Sequence, residues 1–162
     1  MDEAGVAALA AALADPARLA LYRSKVVTVP GSDCLWWTGA VSGRSRREAQ
    51  SGGGHGRFWF APGRVIIAHR FAYAVMHGIE ALGETRLLGH RCDNPLCQRI
   101  APGHVEPSSA LRRHDLGSPL ADPRGPRRRA RELRDLARAD PEAVAADLER
   151  LRQLLGEQLT LW

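Results

Sequence analysis

The sequence predicts an α+β fold, in which a small antiparallel sheet is flanked by N-terminal and C-terminal helices. Apolar residues recur at helical spacing before residue 25 and again after residue 127. Between these regions, short β-like runs are separated by Gly, Ser and Pro. The predicted organisation is an N-terminal helical segment (1–25), a core (26–116), a linker rich in Gly, Pro and Ser (117–126) and a C-terminal helical segment (127–162).

The N-terminal segment is predicted to contain two helices. Val6, Leu9 and Leu13 recur at helical spacing, and Asp15-Pro16 interrupts the pattern before it resumes. One small sheet is expected to follow, from runs at residues 26–29, 35–38, 57–61 and 64–68.

The remaining elements of the core are a loop, two helices and a strand. Residues 44–56 form a basic, glycine-rich stretch, which we expect to be disordered unless it binds phosphate. A helix is predicted at residues 69–78, with Gly78 as its stop. A strand at 86–89 leads into His90, and a helix at 102–115 is expected to pack beside that strand.

Two amphipathic helices are predicted after the linker, at residues 127–139 and 141–158. Four apolar residues share one face of the last helix: Val144, Leu148, Leu151 and Leu155. This face must be buried either against the core or against a second copy of the chain. In the second case the ending from Leu159 to Trp162 would help to anchor a homodimer.

The strongest chemical signal is a set of metal-ligating residue types. Cys92 and Cys97 flank an Asp-Asn-Pro-Leu turn, so their thiolates can converge on one Zn²⁺, and His104 supplies an imidazole a short loop later. Cys34 is a plausible fourth ligand because the chain has three cysteines in all, although it can also be read as a small core residue. Four protein ligands close a tetrahedral site, so this zinc would be structural.

Chemistry would then depend on other residues, and His90 is the nearest candidate. Its imidazole has a pKa near neutrality, but a histidine at a strand end can also simply cap a turn. His69 is interpreted as a packed residue at a helix start. His55 and His77 are interpreted as surface or turn residues with no defined role.

The charge distribution favours a polyanionic partner, such as a nucleic acid. The formal net charge is +5, the sequence pI is about 9.8, and Lys25 is the only lysine. A solvated basic face is the alternative interpretation. No apolar run is long enough to span a membrane and no basic leader is present, so a cytoplasmic protein without membrane contact is expected. The candidate DNA-binding residues are Arg44, Arg46, Arg47, Arg112, Arg113, Arg127, Arg128 and Arg129.

Four motifs in order resemble the HNH endonucleases of the His-Me finger superfamily, above all the His-Cys box homing endonucleases and related phage-type HNH proteins. The resemblance covers residues 34–115 and does not extend to the flanking helices. The four motifs are Cys-Leu-Trp-Trp-Thr-Gly from Cys34, Gly-His-Gly-Arg-Phe from Gly54, Ala-His-Arg-Phe-Ala-Tyr from Ala68, and His-Arg-Cys-Asp-Asn-Pro-Leu-Cys from His90, continuing to His104.

This resemblance implies a ββα-metal nuclease. His90 would be the general base that takes a proton from the attacking water, and one divalent cation, Mg²⁺ or Mn²⁺, would contact the phosphate and stabilise the leaving 3′ oxygen. The zinc ligands of the family match the four metal-ligating residues above, one for one. Arg57 and Arg70 are predicted to contact the scissile or neighbouring phosphates, or else to be surface residues.

One position departs from the family pattern. The asparagine that ligates the catalytic cation corresponds to Arg113, whose guanidinium cannot bind a cation. We therefore expect His114 to be the ligand, with Asp115 second. If neither reaches the cation, a non-catalytic zinc-dependent DNA-binding module or regulator becomes the better interpretation.

Overall fold

The computed structural model describes residues 1–41, 54–109 and 126–159, and their architecture is mixed α+β, as predicted. Each pair of strands forms its own antiparallel two-stranded sheet, β1 with β2, β3 with β4 and β5 with β6, where one small sheet was expected. The elements of these residues are α1 (Glu3–Ala14), α2 (Pro16–Arg23), β1 (Val26–Val29), β2 (Ser32–Trp37), β3 (Arg57–Ala61), β4 (Arg64–Ile67), α3 (Ala68–Glu84), β5 (Leu88–His90), β6 (Val105–Pro107), α4 (Pro126–Ala139) and α5 (Pro141–Leu159).

The predicted break between the first two helices is confirmed. The Asp2 carboxylate accepts a hydrogen bond from the Gly5 amide at 2.8 Å and caps α1. Asp15 caps α2 in the same way, through the Ala17 amide at 2.9 Å, and Pro16 occupies the first helical position, where its missing N–H costs nothing.

The helix predicted at residues 69–78 continues beyond its expected stop. Gly78 leaves the helical conformation, with φ 87° and ψ 170°, but the chain re-enters the helix and continues to Glu84. Gly78 therefore produces a kink in α3, because glycine tolerates a positive φ that other residues avoid.

The helix predicted at residues 102–115 is wrong over its described part. Residues 105–107 form β6, which pairs antiparallel with β5 and places Val105 opposite His90. The pairing of β6 with β5 joins two segments that are distant along the chain, so the local sequence pattern could not reveal it. Residues 110–115 lie outside the described part of the chain.

The core centres on buried aromatic rings contributed by separate elements. Tyr22, Trp37, Phe58 and Phe71 have neighbouring ring centroids 4.6–6.1 Å apart. These contacts join α2, β2, β3 and α3. Helices α4 and α5 pack against β1, and α4 also against β2.

The C-terminal helices contribute to this core within the same chain. Val144 and Leu148 are buried with Ala130 and Leu133 of α4. This part of the last apolar face is therefore covered in cis, while the side chain of Leu155 and residues 160–162 lie outside the described part. A homodimer formed through the tail stays a prediction.

Among the described residues, no single helix is both long and apolar enough to cross a membrane. Helices α1 and α2 meet the length and composition criteria only as a pair, bent by 82° at their junction.

Candidate metal centre

The structure brings together all four residues predicted to bind zinc. The ligand atoms of Cys34, Cys92, Cys97 and His104 lie within 4.8 Å of one another. The Nδ1 atom of His104 is 3.8 Å from Sγ of Cys34 and 3.7 Å from Sγ of Cys97. Cys34 and Cys97 are buried, and the other two residues are partly exposed.

Local hydrogen bonds shape the turn that carries two of the cysteines. The side-chain Oδ1 of Asn94 accepts a hydrogen bond from the Leu96 amide at 3.0 Å, and the backbone carbonyl of Asn94 accepts one from the Cys97 amide at 3.0 Å. Asp93 adopts a left-handed conformation, with φ 54°, which Asp tolerates better than most residues. These features direct the chain back so that both thiols of the turn face the same point.

Cys34 reaches this point because its strand, β2, pairs with the turn. Cys97 forms an antiparallel bridge with Trp36 of β2, and the Trp37 amide donates to the Leu96 carbonyl at 2.9 Å. Strand β2 also carries Cys34, so the same pairing that aligns the two segments brings the third thiol to the centre.

The donor set fits a divalent metal ion such as zinc. With Zn–S bonds of about 2.3 Å and Zn–N bonds of about 2.1 Å, tetrahedral geometry places S and N about 3.6 Å apart. The two observed S···N distances, 3.8 and 3.7 Å, are close to this value. Four protein ligands would leave no position for a substrate, which is the pattern of structural zinc sites.

The neighbouring thiols influence one another's protonation. Hydrogen bonds from Cys92 and Cys97 hold the pKa of Cys34 well below its usual range. Hydrogen bonding with Cys34 and Cys92 raises the pKa of Cys97, because a thiol that shares its proton with a neighbouring sulfur is harder to ionise. A dication would supply the charge needed for all three sulfurs to act as thiolates.

His90 lies directly beside this centre. It is the last residue of β5, two positions before Cys92, and it pairs across the hairpin with Val105, which follows His104. The Arg91 amide donates to the His104 carbonyl at 2.7 Å. A metal held by the four ligands would therefore brace the end of the β5–β6 hairpin at which His90 stands.

Two histidines lie against His90: His69, buried at the start of α3 as expected, and His55, for which no role was predicted. The ligand nitrogens of His55, His69 and His90 all lie within 4.8 Å of one another, and we call these residues the histidine cluster. His69 Nδ1 and His90 Nε2 are 3.1 Å apart. Their ring centroids are 4.5 Å apart, and the His55 centroid is 5.2 Å from each.

Burial sets the protonation of His69. His69 and His90 are 3% and 6% exposed, and His55 is partly exposed. Burial lowers the pKa of His69 well below its usual range, and the neighbouring His90, His55 and Arg70 lower it further. His69 is therefore neutral near pH 7 and holds a lone pair on one ring nitrogen.

His55 belongs to the stretch predicted to be disordered when unbound, and that prediction is wrong for the end of the stretch. Residues 42–53 lie outside the described part, but Gly56 accepts a hydrogen bond from the Ala68 amide at 2.9 Å. Gly56 also lies so close to the Trp37 ring that a Cβ there would be 2.5 Å from the ring. These contacts fix the segment that carries His55 against the start of α3.

The two arginines predicted to contact phosphate lie on neighbouring elements. Arg57 begins β3, and Arg70 lies in the first turn of α3. The Arg70 guanidinium donates to the carbonyls of Leu82 and Thr85, at 3.3 Å each, and so satisfies the C-terminal end of the same helix across its kink. Phosphate contact by either arginine stays a prediction.

The predicted DNA-binding arginines fall mostly outside the described residues. Two of them have described side chains in α4: Arg128 forms an ion pair with Glu132 at 3.2 Å and remains 62% exposed, whereas Arg129 pairs with Asp147 of α5 and is 16% exposed. Arg129 therefore fastens α4 to α5. The predicted residues that lie outside, or whose side chains do, are Arg44, Arg46, Arg47, Arg112, Arg113, His114, Asp115 and Arg127.

Comparisons with protein-family models, curated proteins and solved structures found no match for this chain. The site must therefore be interpreted from its own geometry.

Proposed function

We propose that this chain is an HNH-type endonuclease that hydrolyses phosphodiester bonds in DNA, with a structural zinc at the Cys34, Cys92, Cys97 and His104 centre. The observation that carries the proposal is the position of His90, which ends β5 two residues before Cys92 and pairs with Val105, the residue after His104. This order of strand, histidine, metal-bound turn and second strand corresponds to the first part of a ββα-metal core.

In the proposed reaction His90 is the general base. It accepts a proton from a water molecule, and the water oxygen forms a bond to phosphorus as the bond from phosphorus to the 3′ oxygen breaks. The products are a 5′-phosphate and a 3′-hydroxyl, so the net change is the addition of one water. A positioned base of this kind typically contributes roughly 10²–10⁴-fold to the rate.

His69 supports this role by orienting the base. In the proposed arrangement, the Nε2–H of His90 donates to Nδ1 of neutral His69 across their 3.1 Å contact. The lone pair of His90 then lies on Nδ1, and the ring is held in one tautomer. The partner of a catalytic histidine often has this function.

A divalent cation completes the proposal. When bound, it would stabilise negative charge on the phosphate and the leaving oxygen. Its proposed ligands, His114 or Asp115, lie outside the described residues. The net charge of +5 and the exposed side chain of Arg128 suit a polyanionic substrate.

The test is cleavage of supercoiled plasmid by zinc-loaded wild type, His90→Ala and His77→Ala, with and without Mg²⁺ or Mn²⁺. His77 is a matched control, since it is an exposed histidine of α3 that contacts Tyr73 and lies outside the histidine cluster. Wild type and His77→Ala should produce nicked or linear DNA only with the cation, and His90→Ala should produce none while keeping its zinc and its melting temperature. Full activity in His90→Ala would refute the assigned role.

A zinc-dependent DNA-binding module is the second candidate, favoured by Arg113 at the position where the family has asparagine. Salt-sensitive retention of DNA by every variant, with no cleavage under any cation, would favour it over the nuclease.

A further inference from the structure

We propose that the histidine cluster formed by His55, His69 and His90 is a second metal site, which binds a divalent transition ion such as Zn²⁺, Ni²⁺ or Co²⁺. The three residues come from the segment before β3, the start of α3 and the end of β5. None of them belongs to the four-ligand centre. The proposal concerns metal binding and does not depend on the nuclease function.

The distances match those of nitrogens that share one ion. Two imidazole nitrogens at about 2.1 Å from a metal, with angles between 90° and 110°, lie about 3.0–3.4 Å apart. His69 Nδ1 and His90 Nε2 are 3.1 Å apart, and the third ligand nitrogen lies within 4.8 Å of both. A small rotation of the partly exposed His55 ring would complete the trio.

The surroundings hold the site in place before any metal arrives. His69 and His90 are almost fully buried, and the segment carrying His55 is fixed by the hydrogen bond between Gly56 and Ala68. Little ordering entropy is therefore left to lose on binding, which favours affinity.

The donor chemistry selects the class of metal. Imidazole suits Zn, Cu, Fe and Ni, whereas Mg²⁺ and Ca²⁺ prefer oxygen ligands, and the cluster contains only imidazoles. Three protein ligands also leave a coordination position for water or for an anionic oxygen, as in catalytic rather than structural zinc sites.

A metal in this site would take the Nε2 nitrogen of His90. One of the two facing nitrogens, His69 Nδ1 or His90 Nε2, carries the proton of their hydrogen bond. Binding would move that proton to the other nitrogen of its own ring, with no net release, and a neutral His90 bound through Nε2 holds its proton on Nδ1. A His90 that ligates a metal in this way no longer has the Nδ1 lone pair of a general base. The filled cluster and a catalytic His90 are therefore mutually exclusive states.

The experiment is a titration of tag-free, zinc-replete protein with Ni²⁺, followed by calorimetry and by metal analysis after gel filtration. Wild type should bind Ni²⁺ in addition to its tightly held zinc. The variants His55→Gln and His69→Gln should bind it at least about tenfold more weakly, the size of effect already caused by losing a partner of a metal ligand. The exposed-histidine control His77→Gln should bind like wild type.

X-ray absorption spectroscopy of the Ni²⁺ bound to wild type identifies the types of atoms that coordinate the ion, without the need for a variant. A shell of nitrogen and oxygen with imidazole scattering is expected, since the zinc occupies the thiolates. Sulfur in the shell would mean exchange into the four-ligand centre and would overturn the proposal. Two other outcomes would also overturn it: wild type that binds no added ion, and folded His55→Gln and His69→Gln variants that bind it as tightly as wild type.

Discussion

Removing the metal from the four-ligand centre is expected to lower the thermal stability of the chain. Zinc binds the assembled ligands of the folded state and much less the unfolded chain, in which Cys34 and His104 are 70 residues apart. Binding therefore adds RT ln(1 + [Zn²⁺]/Kd) to the free energy of unfolding, about 2.7 kcal/mol at about 100 times Kd. For a chain of this size that contribution corresponds to roughly 5–10 °C in Tm.

The assay is thermal unfolding with and without a zinc chelator, followed by near-ultraviolet circular dichroism and by tryptophan fluorescence. Trp36 is a suitable reporter, because it is 1% exposed and bridges to Cys97. Chelation should lower Tm and change the tryptophan signal together, since both depend on the same pairing of β2 with the metal-bound turn.

The variant Cys92→Ala isolates the contribution of the metal. Cys92 is partly exposed, so its removal costs little packing, and the Tm of the variant in zinc should equal that of chelated wild type. Further chelation should leave the variant unchanged, while His77→Gln should respond like wild type. A Tm of wild type that is the same with and without chelator would refute the reasoning, as would an undiminished chelator response in Cys92→Ala.

Three further predictions follow from the core and from the histidine cluster. In urea titrations, Gly56→Ala should lower the free energy of unfolding by about 1–3 kcal/mol, because the added Cβ would lie 2.5 Å from the Trp37 ring. The control is Gly83→Ala, where a Cβ meets nothing within 4 Å, and it should be neutral or stabilising by up to about 1 kcal/mol. Tyr22→Phe should cost about 1–3 kcal/mol in urea unfolding, because it removes the 2.7 Å hydrogen bond to Gln98 Oε1 and leaves that buried acceptor without its donor. Excess Zn²⁺ should inhibit Mg²⁺-dependent nicking as the histidine cluster fills, measured by titrating Zn²⁺ into the plasmid assay; undiminished nicking at saturation would contradict this.

Much of the fold was predictable because the residues that begin and end a helix act on their immediate neighbours. Asp15-Pro16 marks the junction of α1 and α2 since a cap and a proline act on neighbouring residues alone. The existence of β6 could not be predicted in this way. Val105 becomes a strand residue through its pairing with β5, and nothing in its immediate neighbours requires that pairing.

The candidate site likewise combines residues that local sequence signals predict with residues that only long-range packing brings together. The candidate metal centre was predictable because Cys92, Cys97 and His104 follow one another at ligand spacing and the chain has few cysteines. The proximity of His55 and His69 to His90 was not predicted, since it arises only when three separate elements pack. One signal was present: His55, His69 and His90 each lie in a different one of the motifs that carry the family resemblance.

The four residues of the candidate metal centre are unequally spaced along the chain, which bears on how the protein would assemble around an ion. Cys92, Cys97 and His104 occupy one short segment that can capture an ion soon after synthesis, whereas Cys34 must arrive from far upstream. Closing so long a loop is slow compared with local capture, because chain entropy is lost before the contact forms. We expect refolding to pass through a state in which three residues hold the ion and water fills the fourth position. In that state the ion exchanges readily, so the arrival of Cys34 would be the step that commits the chain to its metal.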